Sequence, residues 1–156
     1  MSSNGENDDL RAALTCRPNV ESDAFDVLYE QLETVREELE IIIGRPLSSG
    51  IEATYVIYPV GGFYKRHIDS LEGIDPGGSG RRSISLICYL PDPEPAWTPN
   101  DGGQLRVFSS DVPGSDFVDL LPESGSLVLF DSKSVWHEVM PTQRERACLV
   151  GWFRES

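Results

Sequence analysis

The chain is short of histidine, cysteine and positive charge, and it has no long apolar run. Its 156 residues include two His and three Cys, and 13 Lys plus Arg stand against 26 Asp plus Glu, a formal net charge of −13. Each shortage excludes something. Without a run near the ~20 apolar residues that a membrane-spanning helix needs, no membrane partner is expected. An acidic field repels phosphate backbones, so nucleic acid is not expected as a substrate. Cys16, Cys88 and Cys148 are odd in number and fall in no CxxC or similar spacing, which argues against a disulfide framework and against a cysteine-ligated zinc site. The first residues, MSSNGENDDLRAALTC, are acidic where a secretory leader needs a basic start and an apolar centre. A cytoplasmic protein is therefore expected, or a nuclear one in a eukaryote.

The length suits one domain with a real core. Residues 1–9 are polar and acidic and read as a flexible tail, which leaves 10–156 as a single domain. From Ser22 to about Ile43, Phe25, Leu28, Leu32, Val35, Leu39 and Ile42 recur at steps of three and four, which predicts an amphipathic helix ended by Gly44. Residues 10–50 are accordingly expected to act as a helical support. Beyond Ile51 the period changes. Runs such as IEATYVIYP, FYKRHID, RRSISLICYL, GSLVLFD and RACLVGWFRE are rich in β-branched and aromatic residues and are separated by Gly, Pro, Asp and Ser. Short strands without intervening helices predict a mainly β domain over 51–156, a jelly roll with the N-terminal helix packed on one sheet. Between them, 71–80 is Gly-rich and reads as a mobile loop, and 91–103 holds four prolines and reads as a stiffened one.

Strand parity separates two faces of RRSISLICYL. Ile84, Leu86, Cys88 and Leu90 form a core face, whereas Ser83, Ser85, Ile87 and Tyr89 are placed to line a cavity. In FYKRHIDS, His67 and Asp69 are two apart, so on an extended strand both project to one side while Arg66 and Ile68 project to the other. The only other histidine, His137, lies in the strand-like VWHEVMP, and the whole imidazole supply of the chain fits one site. Two neutral imidazoles and a carboxylate leave positions open on an octahedral metal, which suits Fe(II); zinc with a bound water could use the same three ligands. Arg146 shares an inward parity with Cys148, Val150 and Trp152 on the last strand. A buried arginine there needs an anionic partner, and its planar fork fits a carboxylate such as that of 2-oxoglutarate. Arg144 has the same parity and competes for that role, but the nine-residue interval from His137 favours Arg146.

The array His67-x-Asp69, His137 and Arg146 resembles that of the 2-oxoglutarate- and Fe(II)-dependent dioxygenases. The stretches YPVGGFYKRHID, ISLICYL, GGQLRVF, GSLVLFDSKSVWHEVMP and RACLVGWF are similar to the prolyl hydroxylase branch, including the hypoxia-inducible-factor prolyl hydroxylases and their bacterial relatives. The resemblance spans about residues 52–154 and implies a double-stranded β-helix. It further implies that His67, Asp69 and His137 hold Fe(II), and that Arg146 and Tyr89 take the distal carboxylate of 2-oxoglutarate. Tyr58 matches a second pocket tyrosine, Leu105 a cavity-lining leucine and Trp152 an aromatic at the pocket wall. The cofactors implied are Fe(II), 2-oxoglutarate and O2, with ascorbate in support. The implied reaction is hydroxylation of a prolyl residue in an intracellular protein or peptide, with release of succinate and carbon dioxide. Two alternatives stand beside it: a hydroxylase of free proline or another small molecule, and a β-sandwich binding or sensor module without turnover. The loop after Asp69 is longer than in the family and the N-terminal helical region is shorter than in many relatives, so the family's substrates do not transfer.

Overall fold

The computed structural model describes residues 10–18, 23–70 and 81–156. The expected tail at 1–9 and the Gly-rich loop at 71–80 lie outside the described residues. Among the described residues, ten strands form two five-stranded antiparallel sheets. Along the chain they are β1 (Arg11–Ala12), β2 (Leu14–Cys16), β3 (Glu52–Tyr58), β4 (Phe63–His67), β5 (Arg82–Tyr89), β6 (Leu105–Phe108), β7 (Phe117–Leu120), β8 (Leu127–Asp131), β9 (His137–Val139) and β10 (Arg146–Arg154), with helix α1 at Asp23–Ile43. One sheet has the order β1-β4-β9-β6-β7 and the other β2-β3-β10-β5-β8, so from β3 to β10 the chain crosses between the layers at every step except β6 to β7, in the manner of a jelly roll.

Strand β5 is buried on both faces, because each face meets a different layer. Its outer row, Ile84, Leu86 and Cys88, joins Leu149 and Phe153 of β10 beneath Leu32 of α1, with Phe25, Leu28, Val35 and Leu39 packed around them. Its inner row, Ile87 and Tyr89, meets Val56, Tyr58 and Cys148 from its own sheet and Leu105 and Val139 from the other. The parity inferred from sequence therefore separates the two cores. It fails at two ends: Leu90 is 41% exposed because β5 stops at Tyr89, and Ile42 is 77% exposed while Ile43 packs in its place. Gly44 caps α1 in the left-handed region at φ 67°, its N–H donating to the Glu40 carbonyl at 3.0 Å.

The support at 10–50 is not purely helical. Residues 11–16 add β1 to the edge of one sheet and β2 to the edge of the other, so this segment bridges the layers. Two- and three-residue strands carry too little alternation for the sequence to announce them.

Glu52, at the start of β3, accepts hydrogen bonds from Arg82 of β5 and Arg154 of β10. Burial pushes its carboxyl upward, but the two arginines outweigh burial and hold it below the ordinary value. A carboxyl that titrates lower in the folded state stabilises the fold above the unfolded pKa of about 4.3, and that contribution is lost as pH falls through the folded value. Glu52→Gln is therefore expected to lower stability at neutral pH, with the gap to the parent narrowing below about pH 4. Urea unfolding across that range measures it, and a pH-independent gap would contradict the assignment.

Candidate active site

His67 closes β4, His137 opens β9, and the two are direct cross-strand partners. Their ring centroids lie 4.2 Å apart. Each ring meets a backbone carbonyl two residues earlier in the chain: His67 Nδ1 is 2.7 Å from the Lys65 oxygen and His137 Nδ1 is 3.0 Å from the Val135 oxygen. A carbonyl can only accept, so Nδ1 carries a proton in both rings, and Nε2 is the nitrogen that each ring has left for a metal. The two Nε2 atoms point to one place. Asp69 Oδ1 lies 3.4 Å from His67 Nε2 and 3.7 Å from His137 Nε2, and one potential ligand atom from each residue falls within 4.8 Å of the others.

Asp69 lies two residues past the end of β4, so its position depends on something other than strand pairing. The Asp69 and Ser70 amides both donate to the carbonyl of Ser132, at 3.1 and 3.0 Å. Its outer oxygen, Oδ2, accepts from Ser85 Oγ at 2.6 Å and from Trp152 Nε1 at 3.1 Å, and Ser85 Oγ is itself 2.8 Å from Ser132 Oγ. With Oδ2 occupied, Oδ1 alone faces the imidazoles. Burial pushes the Asp69 carboxyl upward, yet hydrogen bonding and charge from the two histidines and the bond from Ser85 outweigh it and hold it well below the usual range. Burial acts the other way on His137 and holds it below its ordinary value against the Asp69 charge. At neutral pH the set is a carboxylate with a neutral His137, the state in which these groups bind a metal. The donors, two imidazoles and one carboxylate oxygen, fit Fe(II).

Deeper between the sheets, Arg146 is fully buried at the start of β10. Its NH2 donates to Tyr89 Oη at 3.3 Å, and its guanidinium lies 4.9 Å from the ring centroids of both Tyr58 and Tyr89. Nε has no partner. No carboxylate among the described residues pairs with Arg146: Glu138 faces Arg106, and Asp131 faces Arg45. A fully buried cation with an unmatched donor fits an incoming carboxylate. Gly103 makes room for it, at φ 68°, where an added Cβ would stand 3.2 Å from Arg146 Cδ and 3.0 Å from Thr142 Oγ1. Arg144, the competitor by parity, lies before β10 and is engaged elsewhere, stacked on Trp97 and donating to the Pro95 carbonyl at 3.0 Å.

Residues 53–154, which carry all of these groups, match the model of the 2OG-Fe(II) oxygenase superfamily. The chain belongs to this superfamily. Its members' chemistry uses Fe(II), 2-oxoglutarate and O2. The oxygenase is 33% identical over 117 residues to prolyl 3,4-dihydroxylase OGFOD1 of Ostreococcus tauri; the match covers 69% of this chain and only 21% of that protein. It is also similar to the crystal structure of a prolyl-4-hydroxylase from Pseudomonas putida, with 33% identity, a TM-score of 0.81, and 96% of this chain matched to 75% of that one. A prolyl hydroxylase from Trichoplax adhaerens, solved with a hypoxia-inducible-factor peptide fragment, shares the fold at a TM-score of 0.77 and 22% identity, covering 99% of this chain and 68% of that one. The double-stranded β-helix expected from sequence is the fold observed.

The oxygenase gathers the sequence-inferred residues into two adjoining groups. His67, Asp69 and His137 form the first, and Trp152 joins it through Asp69. Arg146, Tyr89, Tyr58 and Leu105 form the second, Leu105 fully buried beside Val139 in the inner core. Arg66 faces away, its guanidinium 4.0 Å from the Phe108 ring centroid and donating to the Ser110 carbonyl at 2.6 Å. Tyr64 escaped the sequence reading: three residues before His67, it should sit on the opposite face of a regular strand. The β4–β9 register shifts between the two, and the Tyr64 ring stacks on His67 at 3.7 Å between centroids. Ser132 also escaped, for nothing in FDSKS marks one serine from another. Ser85 did leave a signal, as one of the polar residues on the inward row of a strand whose other face is apolar.

Proposed function

We propose that this oxygenase hydroxylates prolyl residues of an intracellular protein, consuming 2-oxoglutarate and O2 and releasing succinate and carbon dioxide. One observation carries the chemistry: a two-histidine, one-carboxylate cluster stands beside a buried arginine that has no carboxylate of its own. His67, Asp69 and His137 would hold Fe(II), with both Nε2 atoms and Oδ1 as the available donors. When bound, Fe(II) with 2-oxoglutarate activates dioxygen for insertion into a C–H bond. Arg146 and Tyr89 hold the distal carboxylate of 2-oxoglutarate, and the low dielectric of the inner core strengthens that pairing. Ser85 and Trp152 keep Oδ2 of Asp69 engaged, so the carboxylate offers one oxygen and other coordination positions stay free for cosubstrates. The apolar wall of Leu105, Val139 and Tyr58 excludes water from the pocket.

Similarity to the Pseudomonas prolyl-4-hydroxylase and to the Ostreococcus dihydroxylase supports proline as the target. A cavity of about 600 Å³, which Trp152 lines and His67, Asp69 and His137 do not, offers room next to the cluster for residues flanking a proline, and this favours a polypeptide over free proline. Three free thiols agree with a reducing compartment. The test is incubation of the Fe(II)-loaded enzyme with 2-oxoglutarate, oxygen and lysate proteins, with mass spectrometry of tryptic peptides. Prolines heavier by one oxygen atom and dependent on 2-oxoglutarate are expected; oxidation confined to free amino acids would move the substrate to the small-molecule class.

Ser85→Ala tests the outer hold on the carboxylate. Loss of a hydrogen-bond partner of a metal ligand weakens metal affinity about 10- to 100-fold. Calorimetric titration with Mn(II) should register that loss, and parental affinity would assign Ser85 to packing alone.

A further inference from the structure

The cavity that borders the site is basic in an acidic protein. Arg11, Arg17 and Arg82 line it together with Glu52 and Trp152, while the whole chain carries 26 acidic against 13 basic residues. Glu52 is already spanned by Arg82 and Arg154, so its charge is spent within the wall. Arg17 is exposed just past β2 and has no carboxylate partner among the described residues.

Both walls of this cavity lead to the metal-ligand cluster. On one side, the Arg82 guanidinium lies 3.5 Å from the Trp152 ring centroid, and Trp152 Nε1 donates to Asp69. Arg82 NH1 reaches the Asp69 carbonyl at 3.4 Å. On the other, the Arg11 guanidinium lies 5.3 Å from the Tyr64 ring centroid, and Tyr64 stacks on His67. Arg82 and Arg11 are thus each one aromatic side chain away from the cluster, within reach of residues flanking a proline presented there. Cations gathered in a cleft focus the local field and select for anions even where net charge would repel them.

We propose that this cavity receives acidic side chains flanking the target proline, so that the enzyme prefers prolines in carboxylate-rich sequence. The inference rests on the peptidyl-prolyl reading above, and binding and turnover are measured separately so that the two can fail independently. Fluorescent peptides with one central proline flanked by aspartate, alanine or lysine are titrated by anisotropy into enzyme loaded with Mn(II) and 2-oxoglutarate. The aspartate peptide should bind tightest, lose affinity as salt is raised, and lose its advantage over the lysine peptide by roughly three- to tenfold in Arg17→Glu, with Arg17→Lys retaining it. Equal binding of the three peptides, or an unchanged ranking in Arg17→Glu, overturns the proposal. Preferential binding of the aspartate peptide without oxygenation of its proline by the Fe(II) enzyme leaves the cavity assignment standing and defeats the peptidyl-prolyl reading.

Discussion

Asp69→Ala is expected to abolish 2-oxoglutarate turnover and to reduce metal affinity by more than about a hundredfold, the upper range for losing only a partner of a ligand. Asp69 supplies the single anionic donor of the cluster, and its removal leaves the two neutral imidazoles to bind the cation alone. Two further groups lose their acceptor at once, because Ser85 Oγ and Trp152 Nε1 both donate to Oδ2. Asp69→Asn separates these effects. It keeps an oxygen for one donor while removing the charge, so it should fold like the parent and still fail to bind metal tightly. Circular dichroism, Mn(II) calorimetry and succinate release together decide the matter; undiminished turnover in either variant would remove Asp69 from the metal site.

Arg146→Met is expected to raise the 2-oxoglutarate requirement sharply while leaving the ligand-free fold as stable as the parent or more so. Truncating one partner of a buried, hydrogen-bonded charge pair costs about 2–5 kcal/mol, which corresponds to roughly thirtyfold or more in affinity. The stability half follows from the same isolation. Arg146 is fully buried beside two tyrosine rings, its Nε has no partner, and the nearby carboxylates serve other arginines. An apolar side chain of similar length does not carry that desolvation penalty. Thermal melts with and without 2-oxoglutarate should show the parent gaining stability from the cosubstrate and the variant gaining little. A variant with the parent's 2-oxoglutarate dependence would dissociate Arg146 from the cosubstrate. A large loss of ligand-free stability would mean that the tyrosines already satisfy the cation.

The proposed ligand set drew on histidine's scarcity and on a family resemblance as much as on spacing, but the β character, the helix on one sheet and the two β5 faces were legible from local spacing alone. That is because period-two and period-3.6 patterns decide which side chains share a face before any tertiary contact exists. His67 and His137 stood out through scarcity, and Arg146 through its place on an inward row. What spacing could not convey is convergence. Ser85, Ser132 and Trp152 come from β5, the turn after β8 and β10, and they meet at Asp69 only when the layers close. The Tyr64 stack depends on a register shift that interrupts alternation, and the bridging strands at 11–16 are too short to alternate visibly. Parity admits both Arg146 and Arg144; the nine-residue interval from His137 favoured Arg146 in the sequence, and the tertiary structure adds that Arg144 stacks on Trp97 outside the core. The sequence by itself determined the donor chemistry and the layers that carry it. The tertiary structure alone decided which carboxylate oxygen faces the metal site, which arginine is left without a carboxylate, and where a basic cavity opens on an acidic protein, because each depends on groups far apart in the chain meeting at hydrogen-bond distance.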